Sequence, residues 1–326
     1  MTRPWPMVAC IILGLFALGR HEPGFAAGAA PAGGAPPAAA APEAPAKLAF
    51  VAEGKEYRFD TGLVRGTLRS GGKSLGLGPV ADAASQAPLA GAYGWLSHYR
   101  LLDAGARYGG GAWDWASRSK LVADGAVEVA WSADDAHPLD MKAVYHWKGP
   151  GTVDVATTVI PRKALSRFEV FLASYFNGFP VSAVYVKPCP ETGGKAGFLE
   201  AKPSYGPWQM FPRDDEAART IRDGRWKRPP NPVDWKVMPP LAAPLAVRRD
   251  AKSGLTALVM APPDDCFAVS TPHAAEGHRS LYFSLLGRDL SAGQSATARA
   301  RLVLGRGISD EQAVAIYQAY LREIGN

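Results

Sequence analysis

Between residues 126 and 304 the chain repeats one pattern, short runs in which every second residue is apolar. AVEVAW (126–131) sets Val127, Val129 and Trp131 on one side. KAVYHW (142–147) groups Ala143, Tyr145 and Trp147, and TVDVATTVI (152–160) groups Val153, Val155, Thr157 and Val159. FEVFLASYF (168–176) groups Phe168, Val170 and Leu172; TALVMA (256–261), HRSLYFSLL (278–286) and ATARARLVL (296–304) continue the series. Strand side chains alternate between faces, so period two marks strands with one buried face. Val, Thr and aromatic residues fill the runs, and Gly, Pro and Asp bound them. The succession predicts an all-β fold, an antiparallel β-sandwich or barrel. No run alternates with a long helix, which sets aside a doubly wound α/β sheet.

Helical spacing is clear at one place, the C-terminus. Ser309 is a candidate N-cap with Gln312 three residues on, a capping-box spacing. Val314, Tyr317, Leu321 and Ile324 follow at helical intervals with Tyr320 beside them, which predicts a C-terminal α-helix over 310–324 packed on the sandwich. DDEAARTI (214–221) is a weaker helical stretch inside a proline-rich excursion from residue 202 to 244. A connection of that length is a lid, a binding loop or a wrap over a sheet face.

The N-terminus has the three parts of an export signal. Arg3 precedes an apolar run over 8–19, and GFAAGAA (24–30) offers small residues for cleavage at Ala26 or Ala29. The run is shorter than a membrane span. A signal peptide over 1–26 is expected, hence export to the periplasm or beyond and no integral membrane span after cleavage; a retained anchor is the competing reading. Cys10 lies inside the apolar run rather than after it, which argues against lipid attachment. Residues 27–46 are almost entirely Ala, Pro and Gly, the composition of a disordered linker. Residues 47–326 remain for a single β-sandwich domain, roughly 280 residues without repeat or internal break.

Charge excludes little. With 36 Lys+Arg against 30 Asp+Glu the net charge is +6, scattered rather than clustered, so no nucleic-acid partner is expected. An anionic glycan is compatible with it. Cys189 and Cys266 sit in proline-flanked loops and form either a disulfide or two buried thiols. GTLRSGGKS (66–74) ends like a phosphate-binding loop, but its first glycine is one residue too far from Lys73, and LGLGP follows instead of a helix. No metal motif occurs; Asp264, Asp265, Cys266, His273, Glu276 and His278 are suitable ligands chemically, yet lack motif spacing. Neither a metal nor another cofactor is expected. Ser97 beside His98 has no nucleophile elbow around it.

Three clusters mix aromatic residues with Arg, Asp and His in glycine-rich surroundings, at 94–118, 205–228 and 262–280. Sugars ask for this mixture: flat rings cover pyranose C–H faces, charged groups bond hydroxyls, and Arg pairs with a uronate carboxylate. The candidate ligand-binding residues are Trp95, Arg100, Arg107, Tyr108, Trp113, Arg213, Asp223, Arg225, Arg279 and Tyr282. Imidazole shuttles protons near neutral pH, so His278 is the candidate catalyst. Asp264 or Glu276 would be its partner, and His98 a second candidate. The competing account is structural, with the nine Trp as core anchors and the Arg–Asp pairs as turn staples.

An exported chain of period-two strands, with a polar-aromatic face on His278, Ser280, Tyr282 and Ser284, resembles the galactose-mutarotase-like β-supersandwich proteins over residues 50–305. The resemblance matches no diagnostic motif. It implies a sugar-handling His and carboxylate on a sheet face, carried over to His98, His278 and Glu276. HYR, FEVFLASYF, FPRD and EGHRSLYFSLLGRD also resemble blocks of an exported bacterial family, a likeness that implies no activity. Three functions remain. One is a carbohydrate-active enzyme working by proton transfer, such as an epimerase, mutarotase or lyase. The second is a glycan-binding or cell-envelope domain, and the third is an interaction domain without a small ligand. Convergence of His98, Arg213, Asp264 and His278 on one cleft would favour the first.

Overall fold

In the computed structural model, which describes residues 48–70 and 74–325, the period-two runs are strands of two large sheets. The expected signal peptide and linker lie outside the described residues. A nine-stranded sheet runs from Gly197–Glu200 at one edge to Ser117–Leu121 at the other, and holds Leu255–Met260, Ala296–Arg306, Thr152–Pro161, Leu139–Gly149 and Val127–Trp131. A seven-stranded sheet has the order Lys236–Val237, Trp208–Pro212, Cys266–Pro272, Ser280–Leu290, Leu165–Tyr175, Ser97–Leu102, Arg107–Tyr108. Neighbours pair antiparallel except Trp208–Pro212 with Lys236–Val237. A third sheet of four strands is an N-terminal meander; GTLRSGGKS begins in the strand Val64–Arg69, and the strand Gly76–Asp82, not a helix, follows it and pairs with Val64–Arg69.

Alternation decides what fills the space between the large sheets. Phe168, Val170, Leu172, Leu281, Phe283 and Leu285 of the seven-stranded sheet meet Val129, Tyr145, Val153 and Val155 of the nine-stranded one in one core. The outer face of the nine-stranded sheet carries Leu245, Val247, Leu258 and Met260, and the helix Asp310–Glu323 covers it with Ala313, Tyr317 and Tyr320. Its capping box forms as the spacing predicts: Gln312 N–H donates to Ser309 Oγ, and Ser309 N–H to Gln312 Oε1.

The outer face of the seven-stranded sheet carries Phe171, Ala173, Tyr175 and Tyr282, and the long excursion covers part of it. Within the excursion Asp214 caps the helix Asp215–Ile221, accepting from Ala217 N–H at 2.8 Å. Ala217, Ile221 and Trp226 then pack down on the sheet. Cys189 and Cys266 are both free, Cys266 buried and Cys189 half-buried. Cys266 faces the inter-sheet core, where burial pushes its thiol pKa up. No helix among the described residues is long and apolar enough to cross a membrane.

Candidate functional site

The outer face of the seven-stranded sheet is only partly covered, and a cavity of about 440 Å³ remains there. Its floor comes from alternation. Phe171 lies two residues before Ala173 and four before Tyr175 on one strand, and Tyr282 stacks on Phe171 from the neighbouring strand at 4.8 Å. One wall is Tyr99 stacked on Trp113 at 4.1 Å and 12°, with Tyr93 also stacked on Trp113 at 5.2 Å. Gly111 makes that stack possible: a Cβ there would lie 2.9 Å from Trp113 Nε1 and 3.1 Å from Tyr99 Cδ2. The opposite wall belongs to the excursion, with Trp208, Trp226, Trp235 and the turn Asn231–Pro232–Val233. Trp226 and Trp208 each meet Trp235 edge-on.

A bulge brings in the charged group. Pairing between Ser97–Leu102 and Leu165–Tyr175 shifts between Val170 and Leu172, so Tyr99 and Arg100 together oppose Phe171. Both therefore reach the outer face, while His98 and Leu101 turn inward. Arg100 lies 5.0 Å from the Tyr99 ring centroid and 5.1 Å from that of Trp226, and its Nη2 donates to Asn231 O at 2.6 Å. At the rim, His278 Nδ1 lies 2.8 Å from both Glu276 carboxylate oxygens, and its ring meets Trp208 at 5.0 Å. Burial pushes the Tyr282 phenol up to about 12 and raises that of Tyr175 as well, so both stay protonated donors at neutral pH.

The sequence candidates divide. Arg100, Trp113, His278 and Tyr282 line this cavity, and Glu276 holds His278 from behind. The stretch 276–289 is thus not one continuous strand: Gly277, His278, Arg288 and Asp289 at its ends are exposed, and only its middle is buried. Arg279 takes a positive φ of 49° at the turn into Ser280–Leu290, and Ser280, Tyr282 and Ser284 share the buried outer face. Arg213 and Asp264 line a different cavity of about 490 Å³, with Arg167, Glu216, Arg288 and Asp289. Asp223 and Arg225 belong to a buried network, in which Arg225 pairs with Glu169 at 3.1 Å and Asp223 at 2.9 Å.

The remaining candidates are packing and staple residues. His98 is in the inter-sheet core with Nε2 2.8 Å from Thr157 Oγ1, and its ring packs on Trp131. Trp95 is core, against Phe176. Tyr108 packs on Phe168 and donates to Asp103 Oδ2 at 2.6 Å. Arg107 spends its guanidinium on the carbonyls of Gly109, Gly110 and Pro230. His98, Arg213, Asp264 and His278 do not converge. Sequence reasoning missed Tyr93, Phe171, Tyr175, Asn231 and Trp235. The signal for two of them was present, since Phe171 and Tyr175 alternate on the face of FEVFLASYF opposite its core residues. Among the described residues no three His, Cys, Asp or Glu side chains group as metal ligands.

Fold and site together define an antiparallel β-sandwich whose seven-stranded sheet bears an aromatic cavity under a structured excursion. Among solved structures, the chain is similar to a putative aldose 1-epimerase from Escherichia coli K12, at 12% identity over 79% of this chain and 98% of that one, TM-score 0.42. It is also similar to a galactose mutarotase related enzyme from Lactobacillus acidophilus, at 9% identity over 78% and 99%, TM-score 0.44. A third is the α-N-acetylgalactosaminidase NagBb from Bifidobacterium bifidum, at 12% identity over 85% of this chain, TM-score 0.49; the match spans 39% of that enzyme's length. No protein-family model and no curated protein matches the chain.

Proposed function

We propose that the cavity on the seven-stranded sheet binds a carbohydrate, and that the protein is an exported sugar-binding sandwich. The aromatic enclosure carries this reading. Phe171 and Tyr282 offer a flat floor, and Tyr99 with Trp113 faces Trp208 and Trp235 across it. Ring faces of this kind cover the C–H faces of a pyranose, while donors at the edges take its hydroxyls. Donors are at hand in the Tyr282 hydroxyl and the Arg100 guanidinium, which line the cavity. The volume lies within the range of small-molecule sites, roughly 300–1,000 Å³. Export rests on the N-terminal sequence alone.

Tryptophan fluorescence titrated with a panel of monosaccharides and disaccharides tests the reading. Saturable quenching that Trp208→Ala and Trp113→Ala each weaken at least tenfold is expected. Sugars that leave the wild-type spectrum unchanged across the panel would remove the carbohydrate assignment.

A catalytic reading has one observation in its favour, the 2.8 Å contact between Glu276 and His278 at the cavity rim. The carboxylate orients the imidazole, and Nε2 is left without a protein partner among the described residues, free to exchange a proton with a sugar hydroxyl or ring carbon. NMR of sugars that bind would show anomer exchange, epimerisation or elimination. His278→Ala should then bind without turnover; unchanged turnover would take His278 out of the mechanism.

A further inference from the structure

Arg100 is unlike the other buried arginines among the described residues. Arg225 is held by Glu169 and Asp223. Arg301 is held by Asp154 and Glu323. Arg248 donates to the carbonyls of Phe179, Ser280 and Pro272 and to Thr271 Oγ1. Arg100 is 3% exposed, and it has one acceptor, Asn231 O on Nη2. Its Nε and Nη1 are buried with no hydrogen-bond partner. Leaving donors of a charged group unpaired and out of water is costly, so native folds rarely do it without a reason.

The surroundings say what would satisfy it. No Asp or Glu lines the cavity, and Glu276 at the rim is engaged by His278. Among the described residues no carboxylate pairs with Arg100. Tyr99 and Trp226 flank the guanidinium, and the bulge fixes its backbone on the cavity side. The result is a preorganised cation with unpaired donors, buried in the wall of an aromatic enclosure whose lining carries no carboxylate.

We propose that Arg100 is the docking point for a carboxylate of the ligand, so that the sugar taken by the cavity is a uronate rather than a neutral hexose. The ring belongs to the carbohydrate reading above and rests on it; the carboxylate follows from Arg100. Guanidinium donors match the planar, anionic oxygens of a carboxylate. A neutral hydroxymethyl group in the same place would leave the charge uncompensated.

Isothermal titration of the full chain with glucuronate against glucose, galacturonate against galactose, galactose 6-sulfate, and benzoate separates the two claims. Each uronate should bind at least tenfold more tightly than its neutral parent, and added salt should narrow the gap. Arg100→Gln should bring the uronate down to its parent's affinity, with Arg100→Lys intermediate. Circular dichroism and melting of both variants show whether they fold, and the wild-type comparison needs neither. Neutral sugars that bind as well as uronates would overturn the carboxylate site and leave the sugar reading standing. Benzoate binding that depends on Arg100, with no sugar of either kind bound, would keep the carboxylate site and sink the sugar reading. Preference for the sulfate ester over the uronates would overturn the carboxylate assignment.

Discussion

At the scale of single residues, HYR (98–100) shows how a local pattern can be read correctly and still mislead. Period two puts His98 and Arg100 on one face. The bulge opposite Phe171 parts them, His98 into the core and Arg100 into the cavity. A bulge is a property of a strand pair, so nothing in HYR itself announces it. His98 then has a consequence for acid stability. Burial pushes its imidazole down from 6.5 to about 3. The folded chain therefore keeps it neutral where the unfolded chain protonates it. The associated stability is complete above pH 6.5 and is lost progressively as pH falls through the window from 6.5 to about 3. The slope is about 1.4 kcal/mol per pH unit. In His98→Leu, denaturant-unfolding free energies should fall less steeply between pH 6.5 and about 5, above the carboxylate range. Parallel curves for the two proteins would contradict this. Glu169 is the reverse case, a buried carboxylate whose pKa burial raises and Arg225 lowers, with the net direction up. Glu169→Ala strips Arg225 of one buried partner and should cost about 3 kcal/mol, whereas Glu169→Gln keeps shape and an acceptor and should cost less. Equal effects of the two variants in urea unfolding would show that the charge contributes little.

At the scale of elements, legibility followed the solvent. Thr152–Pro161 alternates buried and half-buried residues almost without exception, and its period was plain. Leu255–Met260 and Cys266–Pro272 are buried on both faces, because the helix and the excursion cover the sheets from outside. Such strands lose alternation. Leu255–Met260 still shows as a β-rich apolar run, but PPDDC ahead of Cys266–Pro272 reads as a turn and hides the strand behind it. Leu241–Asp250 carries Pro244, which reads against a strand as well. The C-terminal helix was legible because its signals are local, a cap and a spacing. That locality supplies a prediction. Ser309→Ala removes the acceptor of Gln312 N–H and one half of the capping box, and should lower stability by about 1 kcal/mol in chemical denaturation. Ser309→Asp should restore most of it; loss in both variants would mean that the box, rather than the cap, matters.

At the scale of the whole molecule, the two sheets bury one face against each other and cover the other by unlike means. A regular helix closes the nine-stranded sheet, and an irregular excursion closes the seven-stranded one incompletely. The difference explains where a site can exist. A helix stripe fills its groove with Tyr317 and Tyr320, each 2% exposed, and leaves a cleft of only about 220 Å³ beside Tyr320 and Ile324. Turns and single tryptophans cover a sheet in patches and leave the cavity over Phe171 and Tyr282. The candidate residues in 205–228 could not be sorted from sequence for this reason: the same excursion serves the cavity at Trp208 and Trp226, a second cleft at Arg213, and the Glu169 network at Arg225. Support and site are then on opposite faces, with the inter-sheet core between them, and changes to one should add to changes in the other rather than couple with them. Tyr317→Ala should destabilise the protein by about 3 kcal/mol through the void it leaves under the helix. Ligand affinity at the cavity, and its dependence on Arg100, should stay as in the wild type at temperatures below the lowered melting point. A change of more than about threefold in affinity, near 0.6 kcal/mol, would mean that the helix face and the cavity communicate through the sheets. The excursion would then be a responsive cover set by the packing of the whole sandwich, instead of a local wall.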